Sequence, residues 1–212
     1  VNTIDAMITV VEHSVLADRL ALMRDRNTPH GVFRQALYEA SAILAVEVAR
    51  DLPLYSQTID TPLEPTRVQR LGQRVTVVPV LRAGLGMVEG FLQLLPDARV
   101  GHLGMARDEA TATPVDYYSR LPPGLAEARV YLVDPMLATG GSAVNALAHL
   151  RRAGAVQLEL VCLLAAPEGV AAVEAAHPDV HIWTAAIDRE LDENAYIRPG
   201  LGDAGDRVFG TY

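Results

Sequence analysis

Ten residues in the middle of the chain, VDPMLATGGS (133–142), combine an acid, a proline and a Thr-Gly-Gly-Ser turn. They follow the apolar run ARVYL (128–132) and precede AVNALAHLRRAG (143–154), whose apolar positions recur at helical spacing. A turn of Ala138, Thr139, Gly140, Gly141 and Ser142 that opens a helix offers unpaired backbone N–H groups, two hydroxyls and the positive helix end. That set suits a phosphate dianion without calling on a lysine. Asp134 cannot bind a phosphate directly, but its carboxylate would accept hydrogen bonds from sugar hydroxyls beside one. The bland rival is a plain strand–turn–helix with Ser142 as a cap. A second strand end carries LRAGLG (81–86), where the forked guanidinium of Arg82 could clamp another phosphate group bidentately. A dinucleotide fingerprint is rejected there by spacing. Gly84, Gly86 and Gly90 read G-x-G-x-x-x-G, and Glu89 stands where the third glycine belongs.

Other constellations carry less. DRELDEN (188–194) alternates Asp188, Glu190, Asp192 and Asn194 like a calcium loop, but the sixth position is Glu193 and the twelfth Pro199, so a solvated acidic turn is expected. His177 and His181 are four apart, yet Pro178 breaks any helix between them, which argues against zinc. Trp183, on an expected strand, reads as core or interface. The single cysteine, Cys162, lies in the apolar run LVCLLAA and reads as a buried thiol, with no internal disulfide open to it. The sequence contains no lysine; all 18 basic residues are arginine. P-loop, Schiff-base and pyridoxal-phosphate chemistry therefore drop out.

The elements that must position these groups alternate along the chain. TVVPVL (76–81), ARVGHLGM (98–105), RVYLVD (129–134), LELVCLLA (158–165) and VHIWTAAI (180–187) are short, β-branched apolar runs. Helical patterns at Leu85–Leu95, Ser142–Ala153 and Pro167–Ala176 fall between them. Thr28-Pro29 reads as an N-cap and first helical residue of a long amphipathic helix running to about Arg50, and a shorter helix is expected over Val15–Arg24. Alternation of this kind predicts an α/β fold with a mostly parallel sheet flanked by helices on both faces. In open sheets of this type ligands bind beyond the carboxyl ends of the strands, which is where both loops lie. Two segments break the pattern. Arg107–Pro123 is polar and long for a βα connection, as a flap or arm would be. The tail 196–212 is glycine-rich without periodicity, which permits close approach of backbone to a ligand.

With 212 residues, half of them apolar, and neither repeat nor linker, one domain over 1–212 is the economical reading. The formal net charge of −8 argues against general nucleic-acid or anionic-membrane binding. The opening VNTIDAMITVVEH shows no basic segment followed by an apolar core and cleavage site, and no apolar run approaches the roughly 20 residues of a membrane span. A cytoplasmic protein is expected.

LRAGLGM (81–87), RD…PVDYYSRLP (107–122), VDPMLATGGS (133–142), APEGV (166–170) and YIRPGLGDAGDRVFGT (196–211) together resemble the uracil phosphoribosyltransferase family, of the type I phosphoribosyltransferases. The likeness runs from RDRNT (24–28) through DLPL (51–54) and TPL (61–63) to the C-terminus. The chain departs from the family's usual form in EHSVLADRL (12–20), which lacks a proline after the histidine, and at Arg198, a position that is often apolar. The resemblance implies a phosphoribosyltransferase-like fold with an irregular C-terminal base-binding segment. It implies transfer of the phosphoribosyl group of 5-phospho-α-D-ribose 1-diphosphate, as its Mg2+ complex, to uracil, giving UMP and diphosphate. Asp134, Pro135, Met136, Leu137, Ala138, Thr139, Gly140, Gly141 and Ser142 would bind the donor, with the 5-phosphate at Ala138–Ser142 and the ribose hydroxyls at Asp134. Arg82 and Arg107 would face the diphosphate. Ile197, Gly202, Asp203 and Ala204 would bind uracil, and Asp203 would also approach the donor. No direct protein ligand for the metal is implied. A homodimer with an exchanged arm, and in some members activation by GTP, belong to the same expectation, as does a non-proline cis peptide within Leu81–Gly84. The runner-up, a donor-sensing RNA-binding regulator, is opposed by the negative charge and the lack of basic stripes.

Overall fold

The computed structural model describes residues 7–107 and 114–211, the stretches 105–107 and 114–117 by backbone alone. Its elements in chain order are β1 (Ile8–Val10), α1 (Ser14–Arg24), α2 (His30–Val48), β2 (Leu54–Asp60), β3 (Pro65–Leu71), β4 (Arg74–Leu81), α3 (Leu85–Leu94), β5 (Arg99–Val100) and β6 (His102–Arg107). They continue with β7 (Pro114–Arg120), a 3-10 turn (Leu125–Glu127), β8 (Ala128–Val133), β9 (Met136–Leu137), α4 (Gly141–Arg152), β10 (Gln157–Ala165) and α5 (Pro167–Ala176). The chain ends with β11 (His181–Ile187), β12 (Glu190–Leu191), β13 (Ile197–Arg198) and α6 (Ala204–Phe209).

The main sheet has the order β1-β11-β10-β8-β4-β6-β7, parallel throughout except for β7 on β6. Alternate residues of each central strand feed two cores. Tyr131 and Val133 of β8 join Val161 and Leu163 of β10 on one face, while Val130 and Leu132 join Leu160 and Cys162 on the other. Burial on both faces explains why these strands read as unbroken apolar runs. Helices α1, α2, α3 and α6 cover the first face through Leu16, Phe33, Leu44, Phe91 and Val208. Helices α4 and α5 cover the second through Leu147, Leu150 and Val173. From β4 the chain crosses by α3 to β6; from β8 it crosses by α4 to β10 in the opposite direction along the sheet. The β4/β8 boundary is therefore a topological switch point, and Arg82 and Asp134 leave the sheet on either side of it.

Gly90, set aside as a nucleotide signature, has a packing role instead. A Cβ there would stand 2.7 Å from the Ala42 backbone N and the Tyr38 carbonyl, so glycine lets α3 lie directly on the α2 backbone.

Several expectations need correction. The run 98–105 divides into β5 and β6, and the segment Arg107–Pro123 carries β7, which pairs antiparallel with β6; the stretch 108–113 lies outside the described residues. Pro29, not Thr28, is the N-cap of α2, and the Thr28 hydroxyl donates to the Leu22 carbonyl at 2.7 Å. The β2–β3 hairpin and β1 add to the expected elements; their pairing partners or burial carry no local signature. So does α6, too short at six residues to show a period. Among the described residues no helix is long and apolar enough to cross a membrane.

Candidate active site

The 134–142 loop is fastened to β10 from below. The Asp134 amide donates to the Val161 carbonyl at 3.1 Å, and the Pro135 carbonyl accepts from Leu163 and Leu164 at 3.1 and 3.0 Å. Leu137, in β9, is buried. Gly140 is the N-cap of α4 at φ 81°, a left-handed conformation, and a Cβ there would meet Ala172 at 2.8 Å and the Gly169 carbonyl at 2.9 Å. The N-cap residue Gly140 has no side chain to cap this helix, and Ser142 does not cap it either. The Gly141 amide makes one long bond, to the Thr139 hydroxyl at 3.5 Å, which leaves the start of the helix available to a stronger outside acceptor. His149, Arg151 and Arg152 complement the opposite helix end.

Asp134 stands partly exposed on the wall of a cavity yet deep among protein atoms, and burial pushes its carboxyl up to about 7. The opposing influence is a single long hydrogen bond from the Met136 amide, 3.4 Å. Its oxygens thus retain capacity for donors that the chain itself does not supply.

Beyond β4 the Leu81–Arg82 peptide is cis, where a non-proline cis bond was expected. The Arg82 guanidinium donates to Asp206 Oδ1 at 3.2 Å and to Thr211 Oγ1 at 3.5 Å. Arg107 closes β6, the neighbour of β4; its side chain lies outside the described residues.

The tail is clamped by a pair that composition does not reveal. Arg24 donates twice to Asp188, at 2.6 and 2.8 Å, and once to the Gly200 carbonyl at 2.9 Å, while Asp188 accepts the Gly200 amide at 2.9 Å. Burial alone would push the Asp188 carboxyl up, but these hydrogen bonds outweigh it and hold the group below the usual carboxylate range. DRELDEN is solvated only in part: Arg189, Glu190, Glu193 and Asn194 are exposed, but its first residue is not. Asp188 is buried, and Asp192 holds Asn194 and Tyr196 by their amides and pairs with Arg198. Asp188→Ala leaves Arg24 facing no counter-charge and is expected to lower stability by about 3 kcal/mol, measurable as a fall in thermal midpoint.

These loops meet around one cavity of about 240 Å3, lined by Ala83, Asp134, Met136, Ala138, residues 195–197 and 202–205. It unites Asp134, Met136 and Ala138 with Ile197, Gly202, Asp203 and Ala204. Arg82 stands beside it through Ala83 and its bond to α6. Thr139, Gly140, Gly141 and Ser142 lie just beyond, around the start of α4, whereas Pro135 and Leu137 hold the loop to β10. Sequence reasoning missed Ala195, at φ 64°, and Tyr196 in the lining; neither type signals a site. A larger hollow, about 820 Å3 between α2, α3 and α6, contains none of the loop carboxylates or amides described above. Among the described residues no group of three or more His, Cys, Asp or Glu side chains is arranged to hold a metal. Cys162 is buried, and its thiol is pushed up to about 12, so it takes no part in this chemistry.

The arrangement offers backbone amides at the start of α4, a carboxyl acceptor at Asp134 and open backbone at Gly202–Ala204. Comparison with known proteins identifies the family. The family model for uracil phosphoribosyltransferase matches residues 10–211. A uracil phosphoribosyltransferase of Salinibacter ruber is 56% identical over 204 residues, covering 96% of this chain and 97% of that protein. One from Clostridium perfringens is 51% identical over 205 residues, covering 96% and 98%. The solved structure of the AQ2163 protein from Aquifex aeolicus superimposes with a TM-score of 0.91 at 36% identity, covering 96% and 98%. A hypoxanthine-guanine phosphoribosyltransferase from Bacillus anthracis, at 14% identity and a TM-score of 0.53, shares the fold.

Proposed function

This chain belongs to the uracil phosphoribosyltransferase family, and we propose that it works as one: it moves the phosphoribosyl group of 5-phospho-α-D-ribose 1-diphosphate onto N1 of uracil. UMP and diphosphate are the products. The observation that carries the reading is the meeting of the Asp134 loop, the Arg82 turn and the Gly202 tail around one cavity.

The reaction breaks the bond from C1 of the ribose to the diphosphate oxygen and forms the C1–N1 bond, with loss of the uracil N1 proton. Positive charge gathers on the ribose and negative charge on the leaving group, as in other glycosyl transfers. No strong nucleophile is needed; placement and charge stabilisation are. The amides at the start of α4, with Thr139 and Ser142, hold the 5-phosphate. Asp134 accepts from the ribose hydroxyls. Arg82 and Arg107 oppose the charge growing on the diphosphate, and Asp203 stands near the donor. A magnesium ion bound with the donor would supply positive charge against the diphosphate, and Asp134 is a carboxylate of the cavity wall that would face the donor. Backbone groups of Ile197 and Gly202–Ala204 read the uracil edge. A carbonyl facing N3–H accepts from uracil but meets an acceptor in cytosine, a mismatch worth about 10⁴-fold. Incubation with uracil, the donor and magnesium is expected to release UMP and diphosphate, and cytosine to react far more slowly. Failure to form UMP under those conditions overturns the reading.

The β2–β3 hairpin supports a homodimer. All of it is exposed or nearly so, with Leu54 59%, Tyr55 50% and Leu71 50% accessible, and its connecting Leu63 94%. A two-stranded hairpin is marginal in water by itself, and a second subunit is the natural cover for this one. Replacing residues 55–70 by a short turn is expected to shift the sedimentation behaviour from dimer toward monomer. The sheet carries both cores, so one catalytic unit across residues 1–212 is part of the same proposal.

A further inference from the structure

One carboxylate stands between the half-site for the donor and the half-site for the base without belonging to either. Asp206 lies in the first turn of α6, three residues after the cap residue Asp203, whose Oδ1 accepts the Asp206 amide at 2.9 Å. In the usual reciprocal cap the side chain at this position turns back to the cap residue's own N–H. Asp206 turns to Arg82 instead: its Oδ1 accepts from Nη2 of Arg82 at 3.2 Å and from the Thr211 hydroxyl at 2.6 Å. The contact with the guanidinium is one-pronged. Nη1 reaches only Thr211, at 3.5 Å, and the Arg82 side chain remains 57% exposed. Much of the fork is therefore left for an incoming acceptor. Helix α6 lies against the Arg82 turn: a Cβ on Gly205 would stand 3.8 Å from both Nη2 of Arg82 and Cβ of Ala83. The Thr211 hydrogen bond foremost, with Arg82 beside it, holds the Asp206 carboxyl below the usual range, so the group is charged at neutral pH.

We infer that Asp206 is a positioning residue that, with Thr211, aims the Arg82 guanidinium and ties it to the helix that begins in the base-reading segment. The inference rests on Arg82 facing the diphosphate. The tie couples the two half-sites, because a shift of α6 changes the acceptors that Arg82 meets. An inhibitory role, in which Asp206 competes with the diphosphate for the guanidinium, would be expected to use a bidentate grip; the observed contact is single and long.

The test is a double-mutant cycle read by steady-state kinetics, with circular dichroism and thermal unfolding confirming that each variant is folded. Asp206→Ala is expected to lower kcat about 10-fold while changing KM for uracil less than about twofold. In an Arg82→Ala background the same substitution is expected to cost less than about twofold, since its effect runs through the missing guanidinium. An equal loss in both backgrounds, or no loss or a gain from Asp206→Ala alone, overturns the inference. If Arg82→Ala is itself silent, the assignment of Arg82 to the diphosphate fails, and this inference falls with it. Should Asp206→Ala not fold, Thr211→Val, which removes only the hydroxyl, is run in both backgrounds. A loss of about threefold that vanishes without Arg82 supports the inference, and a loss that persists overturns it.

Discussion

Arg82→Lys is expected to lower kcat/KM for the phosphoribosyl donor by about 100-fold, with most of the loss in kcat. The charge is unchanged, so a purely electrostatic role at a distance would leave the rate nearly intact. What is lost is the planar fork. A lysine ammonium is a point charge without the fork, and it cannot keep the Asp206 contact while presenting a second edge to the diphosphate, as the proposed role of Arg82 requires. The effect concentrates in kcat because the diphosphate gains charge as its bond to the ribose breaks, so the lost contact is worth more in the transition state than in the bound substrate. Thermal stability should change little, since Arg82 is largely exposed and its ion pair is a surface one. Steady-state kinetics with the donor varied at saturating uracil checks this. An unaltered kcat/KM removes Arg82 from the chemistry.

Asp134→Asn is expected to separate activity from stability. Activity falls by at least about 100-fold, because an amide presents its N–H2 where the ribose hydroxyls need an acceptor. Stability moves the other way. The carboxyl rises from 3.8 to about 7 on folding. Below about pH 4 it is protonated in both states and carries no linkage. As pH rises toward 7 the unfolded chain releases its proton while the folded chain keeps it, so the unfolded state binds fewer protons and stability falls. At about 1.4 kcal/mol per pH unit the loss amounts to some 4 kcal/mol at neutral pH and above. The asparagine variant escapes that loss. Its thermal midpoint should therefore exceed that of the parent at about pH 8, and the difference should shrink toward about pH 4. The parent's kcat/KM for the donor should rise through about pH 7 as Asp134 ionises, a dependence the variant lacks. Equal melting of the two proteins at about pH 8 would refute the burial argument.

Both loops at the centre of these predictions are legible in the sequence, and the reason is local. A Thr-Gly-Gly-Ser turn between an apolar strand and a periodic helix can be recognised from adjacent residues. So can an arginine at a strand end. The sheet was legible for a similar reason, since β4, β8 and β10 are buried on both faces and read as continuous apolar runs. The α6 helix has no legible sequence signal, because its apolar face is set by one turn and its start by Asp203, a cap that resembles any loop aspartate. In DRELDEN the buried member, Asp188, is hidden from the sequence for the opposite reason. A cluster of acids looks solvated until its partner is known, and the partner of Asp188 is Arg24, 164 residues away.

The amino-acid sequence by itself determined the strand–helix alternation, the glycine turn at 138–142 that opens a helix and the exclusion of every lysine-based mechanism. Each of those depends on side-chain type and on spacing over a few residues. Only the tertiary structure decided that Asp134 is buried enough to hold its proton near neutrality and that Arg82 is held by Asp206, 124 positions along the chain. It also decided that the Gly200 turn is fastened to α1 through Arg24. Those outcomes are through-space: a carboxyl's charge state and a guanidinium's direction follow from which distant segments the sheet order brings to one edge, and no local pattern encodes that meeting.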